Sequence, residues 1–177
     1  AAAEHLGQVD ILINNAGVAD SAPLKSITLE AWNQMLSVNL TGVMLCTREF
    51  LPGMVERKWG RVVNIASIAA HVPLSKVVAY SAAKAAVVSL TQFLAREWAP
   101  HVRVNSITPG FFPGEQNRRL LYDETGLPTA RGEQILQHTP MGRFGEPDEL
   151  VGAAVFLASR QASSFVTGTD LRVDGGF

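Results

Sequence analysis

The side chains best suited to chemistry are Tyr80 and Lys84, in the segment Tyr80-Ser81-Ala82-Ala83-Lys84. On a helix, residues four positions apart share one face, so these two side chains can meet. A free tyrosine has a pKa of about 10, and a neighbouring ammonium group lowers such a pKa by roughly 1–3 units. We therefore expect Tyr80 to exchange a proton with a substrate hydroxyl or carbonyl group. Taken alone, the same spacing also occurs by chance on exposed helices.

Ser67 supplies a hydroxyl group near this pair. It follows residues 61–66, an apolar run that predicts a strand, so it should lie at the carboxyl end of that strand. In an α/β fold, the end of a strand and the start of the next helix meet at one crevice. There the hydroxyl can donate to a substrate carbonyl and hold it against Tyr80. The alternative is a serine that only ends a strand or forms a turn.

Asn39 lies in an otherwise apolar helical stretch, Val38-Asn39-Leu40. Asparagine is a mediocre helix former and costly to bury unpaired, so its amide needs a partner such as a backbone carbonyl or an ordered water. A functional interpretation is a proton relay through water to Lys84. A structural interpretation is a helix kink satisfied by the same water, and the two interpretations are compatible.

Two turns offer small residues at places where a ligand can approach the backbone. Asn14-Asn15-Ala16-Gly17 closes the first apolar run, and Pro109-Gly110 closes the third. Glycine, with no Cβ, tolerates close approach and unusual turn geometry. Each turn is equally explained as an ordinary connection between a strand and a loop.

Alternating strands and helices must position these residues. Residues 9–13, 61–66, 102–107 and 171–173 predict strands, the first of them buried on both faces. Helices are predicted from a Thr28 cap to just before Pro52, over about 77–98, and over 149–159, with one or two short helices in 111–140. This order predicts a parallel sheet covered on both faces, with ligands beyond the carboxyl ends of its strands.

Composition narrows the class of protein. The chain has 177 residues, of which 47% are hydrophobic, enough for one folded domain spanning 1–177. A net charge of -1 gives no electrostatic reason to expect nucleic acid or an anionic membrane as partner. The single Cys46 allows no internal disulfide, and the four histidines lie far apart without metal-ligand spacing, so no metal is expected. No apolar run reaches the roughly 20 residues of a membrane span, and a cytoplasmic enzyme is the expectation.

Residues 1–7 are unusual for the start of a protein sequence. Residues 1–7 contain no initiator methionine and are typical of the last turns of a helix, with Gly7 as its end. A predicted strand follows at once. We therefore expect the sequence to begin in the middle of a fold.

Together these motifs resemble the short-chain dehydrogenase/reductase family, in its order and spacing, from Asn14 to Gly176. The resemblance implies a Rossmann-type doubly wound sheet lacking its first βα units, and NAD or NADP as coenzyme. It implies that Tyr80 is the acid/base, that Lys84 both modifies its pKa and binds the ribose, that Ser67 polarises the carbonyl, and that Asn39 anchors a water relay. The residues that would line the coenzyme are Asn15, Ala16, Gly17, Pro109, Gly110 and Phe112, together with Tyr80 and Lys84.

The chain departs from the family pattern in two places. The glycine-rich turn that binds the pyrophosphate is not present, and Gly7 and Gly17 cannot replace it, so the choice between NAD and NADP is not encoded here. Many members also carry a threonine that bonds the nicotinamide carboxamide where this chain has Gly114. Phe112 and backbone groups should then contribute more to positioning the coenzyme.

Residues 109–119, PGFFPGEQNRR, resemble the sugar-acid branch of the family, and more narrowly its D-mannonate oxidoreductases (fructuronate reductases). The resemblance makes 111–140 a lid over a small-molecule substrate held by Ser67 and Tyr80. Arg118 is the first choice for a substrate carboxylate, with Arg119 as the alternative, because a guanidinium binds a carboxylate through two parallel hydrogen bonds. Amide groups suit the hydroxyls of a sugar acid. The lid amides in question are Gln116 and Asn117.

Three other functions stay open at this point. The enzyme could act on a 3-oxoacyl or polyol substrate, the chain could be a catalytically silent scaffold subunit, or the fold could serve an epimerase or lyase. A scaffold has no need of Asn39, Ser67, Tyr80 and Lys84 together, which favours the oxidoreductase. The resemblance also implies a homo-oligomer, a tetramer, packed through the alanine-rich helix that carries Tyr80.

Overall fold

The computed structural model describes residue 5, residues 7–115 and residues 117–177. The predicted helical turns of residues 1–7 therefore lie largely outside the described residues. Four parallel strands form one sheet in the order β1-β2-β3-β4, which confirms the predicted parallel α/β architecture. The strands are β1 Ile11–Asn14, β2 Gly60–Ile65, β3 Val102–Pro109 and β4 Asp170–Val173.

Helices connect the strands, close to the predicted positions. α1 spans Leu29–Leu36, and Thr28 caps it by accepting a hydrogen bond from the amide of Ala31 at 3.1 Å. A π-helical turn, Ser37–Thr41, leads into α2 at Gly42–Glu56, and a 3₁₀ turn, Ile68–Ala70, follows β2. The remaining helices are α3 Val78–Trp98, α4 Arg118–Leu121, α5 Ala130–His138 and α6 Glu149–Ala158.

Helices cover both faces of the sheet, as the alternation predicts. On one face Val62 and Val104 pack against α2 and α3 through residues such as Met54 and Ala95. On the other face Val63 and Ile107 pack against α6, together with Leu157. Because β2 and β3 run parallel to each other, their carboxyl ends lie at the same edge of the sheet.

Two sequence-based expectations are wrong in detail. The sequence predicts one helix from the Thr28 cap to just before Pro52, yet the structure has α1, the π-helical turn and α2, which continues through Pro52 to Glu56. Proline removes one helical hydrogen bond, but Leu51 and Met54 on either side of it are buried in the core, and their packing keeps the helix intact. β1 was expected to be buried on both faces, whereas Ile11 and Ile13 are 43% and 48% exposed.

The exposure of β1 has a simple geometric reason. Ile13 pairs with Val63 on β2, on the sheet face that α6 covers. Among the described residues, α6 reaches Val63 and Ile107 but no helix reaches Ile13. β1 is therefore an edge strand of the described sheet with one uncovered apolar face.

The segment 111–140 contains two short helices, α4 and α5, in agreement with the sequence. Thr129 caps α5 by accepting from the amide of Gly132 at 3.0 Å. A small separate core holds the segment together, in which Leu121, Ile135 and Phe144 are buried. The lid role of this segment stays a prediction.

Among the described residues, one helix, α3, has the length and composition of a membrane span. A third of its most apolar stretch, 33%, is buried within the fold. Its buried side chains, including Ala83 and Val87, face the sheet, as expected of the core helix of an α/β domain.

Candidate active site

The four residues proposed for catalysis line one cleft of about 270 Å³. Ser67 stands directly beyond the end of β2, Tyr80 and Lys84 on the first turns of α3, and Asn39 in the π-helical turn between α1 and α2. The cleft lies at the carboxyl edge of the sheet, where the fold class predicts a ligand. Residues more than 40 positions apart in the chain are thus brought to one place, as the sequence predicted.

Lys84 is held rigidly at the base of this cleft. The residue is only 4% exposed, and its Nζ donates a hydrogen bond of 2.7 Å to the carbonyl oxygen of Ile65. Nζ also lies 5.7 Å from the centre of the Tyr80 ring. Burial lowers the pKa of Lys84 from 10.5 to about 8, because removing water disfavours the charged ammonium.

Tyr80 and Ser67 both line the cleft, where the Ser67 hydroxyl favours the ionised phenol as a hydrogen-bond donor. Burial raises the pKa of Tyr80 above its usual value of 10.0, and the hydrogen bond with Ser67 opposes this rise. The lowering of the Tyr80 pKa by Lys84 that the sequence suggests stays a prediction for the complete site. In the chain by itself, the loss of water around the phenol dominates, and the ammonium group of Lys84 donates to the Ile65 carbonyl at 2.7 Å.

Ser67 also organises the backbone around it. Its Oγ accepts a hydrogen bond of 3.2 Å from the amide of Ala69 and so caps the 3₁₀ turn Ile68–Ala70. The two interpretations of this serine from the sequence are therefore compatible. It ends the strand and forms a turn, and it presents a hydroxyl group to Tyr80.

Asn39 is fully buried and its amide is satisfied by backbone groups. Its Nδ2 donates to the carbonyl oxygens of Val18 at 2.8 Å and Met35 at 3.0 Å, and its Oδ1 accepts from the amide of Val18 at 3.2 Å. These bonds tie the π-helical turn to the loop after β1. A π-helical turn stands where the sequence suggests a kink, and Gly17 lies close to both the Asn39 amide and the Lys84 ammonium group.

The two turns expected to hold the coenzyme line opposite sides of the cleft. Asn15 and Gly17 line one side, whereas Ala16 is exposed and does not line the cleft. The other side is formed by three residues after β3, namely Pro109, Gly110 and Phe112.

Glycine is required at both turns by close packing. A Cβ on Gly17 would lie 2.8 Å from the Oδ1 of Asn39, and a Cβ on Gly110 would lie 2.7 Å from the Cα of Asp174. The amide of Gly110 donates to the carbonyl of Val173 at 2.9 Å, which anchors this turn to the end of β4.

The lid residues expected to bind substrate are only partly brought to the cleft. Asn117 lines it, but its side chain is used locally, accepting from the amide of Gly114 at 2.7 Å and donating to the carbonyl of Phe112 at 2.9 Å. Arg118 instead lines a neighbouring cavity of about 400 Å³, with its guanidinium 5.7 Å from the centre of the Tyr122 ring. Gln116 lies outside the described residues. The carboxylate role of Arg118 stays a prediction.

Comparisons with known proteins agree with this geometry. A family model described as enoyl-(acyl carrier protein) reductase matches residues 1–177. A gluconate 5-dehydrogenase of Gluconobacter oxydans is 40% identical over 172 residues, 97% of this chain and 65% of that protein. The chain therefore spans about two thirds of the length of this relative.

Two crystal structures show the same fold at comparable identity. A gluconate 5-dehydrogenase from Burkholderia cenocepacia, in complex with NADP and tartrate, has a TM-score of 0.92 at 38% identity, covering 98% of this chain and 66% of that chain. A proposed D-mannonate oxidoreductase from Haemophilus influenza with bound NAD also has a TM-score of 0.92 at 38% identity, covering 99% and 69%. The chain belongs to the short-chain dehydrogenase/reductase family.

One hydrogen-bonded row of polar side chains behind the cleft of this short-chain dehydrogenase/reductase was not predicted from the sequence. Asn14 donates to the Oδ1 of Asn64 at 2.8 Å and to Thr47, and Asn64 donates to Thr91 at 2.9 Å. The row links β1, β2, α2 and α3 directly behind the cleft. The signal was the fully buried Asn64, a polar residue inside the apolar run of β2. Among the described residues, no group of three potential metal ligands occurs.

Proposed function

We propose that the chain is part of an NAD(P)-dependent oxidoreductase that interconverts a secondary alcohol and a ketone. The observation that carries this proposal is the meeting of Asn39, Ser67, Tyr80 and Lys84 in one cleft at the carboxyl edge of the sheet. Because the chain spans about two thirds of its relative's length, the activity is proposed for the whole protein.

The residues that line the cleft fit the nicotinamide half of a coenzyme. Gly17 and Gly110 keep the two walls of the cleft free of side chains, and Phe112 offers an aromatic face beside them. Lys84, whose ammonium group reaches this cleft, would bind the ribose. The coenzyme would supply the hydride acceptor or donor.

The chain's own residues would carry the proton. Ser67 holds the substrate oxygen by a hydrogen bond, and Tyr80 beside it gives that oxygen its proton in the direction of reduction. Lys84 stabilises the phenolate that remains, because an opposite charge nearby favours the ionised form. Oxidation of the alcohol runs through the same groups in reverse.

A sugar acid is the proposed substrate. The names of the relatives support it, since they include gluconate 5-dehydrogenases and a proposed D-mannonate oxidoreductase. We propose D-mannonate and D-fructuronate as the first pair to test, on the resemblance of residues 109–119 to that branch, with gluconate and 5-ketogluconate as the second. A 3-oxoacyl or polyol substrate is the alternative, and a silent scaffold the alternative to an enzyme.

The test uses the full-length protein with NAD and NADP in turn. Each candidate alcohol or ketone is added, and the absorbance of the reduced nicotinamide is followed, with Tyr80→Phe as the matched control. Turnover with a sugar acid that the variant lacks supports the proposal. Turnover with neutral polyols or 3-oxoacyl compounds alone refutes the sugar-acid substrate, and a protein that binds coenzyme without oxidising or reducing any of these compounds refutes the enzyme.

We also propose that the whole protein is a homotetramer located in the cytoplasm. α3 carries exposed small residues, Ala82 and Ala85, on the face turned away from the sheet, and small side chains let two helices approach closely. The location rests on the absence of paired cysteines, since Cys46 is the only one. Light scattering at micromolar concentration tests the assembly, and a monomer refutes it.

A further inference from the structure

A largely buried carboxylate, Asp170 on β4, accepts hydrogen bonds from three donors outside the proposed catalytic set. Its Oδ1 accepts from the hydroxyl of Ser106 at 2.5 Å, and the hydroxyl of Thr108 lies 2.9 Å from both carboxylate oxygens. The Nε2 of His71 lies 2.9 Å from Oδ2 and 3.3 Å from Thr108. Ser106 and Thr108 are fully buried, and the Asp170 side chain is only 12% exposed.

The donors come from elements that form different parts of the cleft. Ser106 and Thr108 lie on β3, immediately before the Pro109-Gly110 turn that forms one wall. His71 is the residue that ends the 3₁₀ turn Ile68–Ala70, and Ser67 caps the opposite end of the same turn. Asp170 therefore connects the serine of the catalytic set to the strand that leads into the coenzyme wall.

We propose that His71 and Asp170 are positioning residues that hold the turn carrying Ser67 in line with Tyr80 and in register with β3. This inference rests on the proposed oxidoreductase activity. Neither side chain lines the cleft, so both act through Ser67 rather than on the substrate.

The shortness of the turn makes such control effective. Only three residues, Ile68–Ala70, separate Ser67 from His71, and the amide of His71 donates to the carbonyl of Ile68 at 3.0 Å. A rotation of the turn about its fixed strand end moves the Ser67 hydroxyl directly. Misplacing a reacting group by about 1 Å can reduce a rate by roughly a hundredfold, so an anchor at the far end of this turn controls turnover.

The hydrogen bond from His71 does not depend on one charge state. An imidazolium donates from Nε2, and so does the neutral tautomer that carries its proton on Nε2. Asp170 accepts from two buried hydroxyls and is thus set up as an acceptor for a third donor. The requirement is a side chain at position 71 that is long enough to bring an N–H donor to the Asp170 carboxylate.

Glutamine and asparagine at position 71 carry the same amide group on side chains of different length, so they test whether the donor must reach Asp170. The terminal amide nitrogen of His71→Gln can occupy the place of Nε2 and donate to Asp170, whereas the shorter amide of His71→Asn corresponds to Nδ1 and falls short. His101→Asn is the matched control, because His101 lies beside the opposite end of β3 from the cleft. All variants are made in the full-length protein.

We expect His71→Asn to lower kcat by about tenfold with the coenzyme KM unchanged within about twofold, and His71→Gln to keep kcat within about threefold of wild type. His101→Asn should behave as wild type. Equal kcat values for the Asn and Gln variants at position 71, whether both normal or both low, would overturn the proposal.

A second readout needs no turnover. The phenolate absorbance of Tyr80 is followed against pH, as the difference between each protein and the same protein carrying Tyr80→Phe. Since the hydrogen bond from Ser67 lowers the pKa of Tyr80, His71→Asn should shift the titration of Tyr80 to higher pH, toward that of Ser67→Ala. His71→Gln should leave it in place.

The two readouts keep the inference and the proposed function distinguishable. If the wild-type protein turns over none of the compounds tested, the proposed function fails while the titration still tests the positioning role. If turnover is present but the titrations of the Asn and Gln variants coincide, the positioning role fails and the function stands.

Discussion

Gly17→Ala should damage both stability and turnover, although it adds a single methyl group. The backbone of Gly17 lies outside the left-handed region, so alanine can adopt it without strain. The difficulty is space, because the new Cβ would stand 2.8 Å from the Oδ1 of Asn39 and 3.6 Å from the Nζ of Lys84. Ordinary contacts of a Cβ begin at 3.4 Å, so the amide of Asn39 or the loop must retreat by about 0.6 Å.

The expected loss of unfolding free energy follows from the hydrogen bonds that hold the Asn39 amide. The amide sits between the backbone of Val18 and the carbonyl of Met35, and its weakest bond, from the amide of Val18 to Oδ1, is already 3.2 Å long. A retreat of that size breaks this bond in a fully buried place. Leaving a buried polar group unpaired costs about 1–3 kcal/mol, and we expect a loss of unfolding free energy of about 2 kcal/mol. Because Lys84 shares the site, kcat should fall by at least about tenfold.

Urea unfolding at one fixed protein concentration measures the stability, and coenzyme-linked turnover measures kcat. Gly152→Ala is the matched control, since no atom lies within 4 Å of its added Cβ on α6. That change should raise the unfolding free energy by up to about 1 kcal/mol, as alanine favours helix. A Gly17→Ala protein as stable and as active as wild type would refute the reasoning about Asn39.

Three further predictions concern single side chains. Tyr80→Phe should lower kcat by roughly 10²–10⁴ while coenzyme affinity stays nearly intact, and more than about a tenth of the wild-type rate would contradict the acid/base role. Lys84 has a folded-state pKa of about 8, below its usual value of 10.5, because burial disfavours its charge. The charged form therefore lowers the unfolding free energy by its full amount below about pH 8, and this loss disappears as the pH rises to about 10.5. Wild type should therefore gain about 3 kcal/mol relative to Lys84→Met across that window, and parallel urea stability profiles would contradict it. Arg118→Ala should raise KM for a sugar acid far more than for its neutral sugar analogue, and equal effects would remove its carboxylate role.

The meeting of the residues proposed for catalysis could be predicted from the sequence because its signals are local. Tyr80 and Lys84 are related by one helical turn, and the apolar run before Ser67 identifies a strand end without any knowledge of the fold. The rule that strand ends and following helices meet at one edge then brings the three together. These features depend on short stretches of chain, where spacing determines geometry.

Features that depend on packing between distant segments of the chain could not be predicted from the sequence. α2 runs through Pro52 because neighbouring residues are buried against the sheet, and propensity alone predicts an end there. The side chain of Arg118 points to a cavity beside Tyr122 because of how α4 packs within the segment 111–140, which no spacing reveals. The sequence also left the partners of the Asn39 amide open, and one of them is the backbone of Val18, 21 positions away.

On the proposed function, the electrostatics of the cleft give a reason for the phenol and the amine to work as a pair. Burial raises the pKa of Tyr80 and lowers that of Lys84 to about 8, so both groups are driven toward their neutral forms. A neutral phenol is the form needed to protonate a ketone, and the hydrogen bond from Ser67 keeps its pKa from rising further. Oxidation needs the phenolate, and positive charge close to the phenol is what can stabilise it. Lys84 supplies one such charge, and an oxidised nicotinamide bound in the cleft would supply another. The state of Tyr80 should therefore follow the redox state of the coenzyme, which links proton transfer to hydride transfer in either direction.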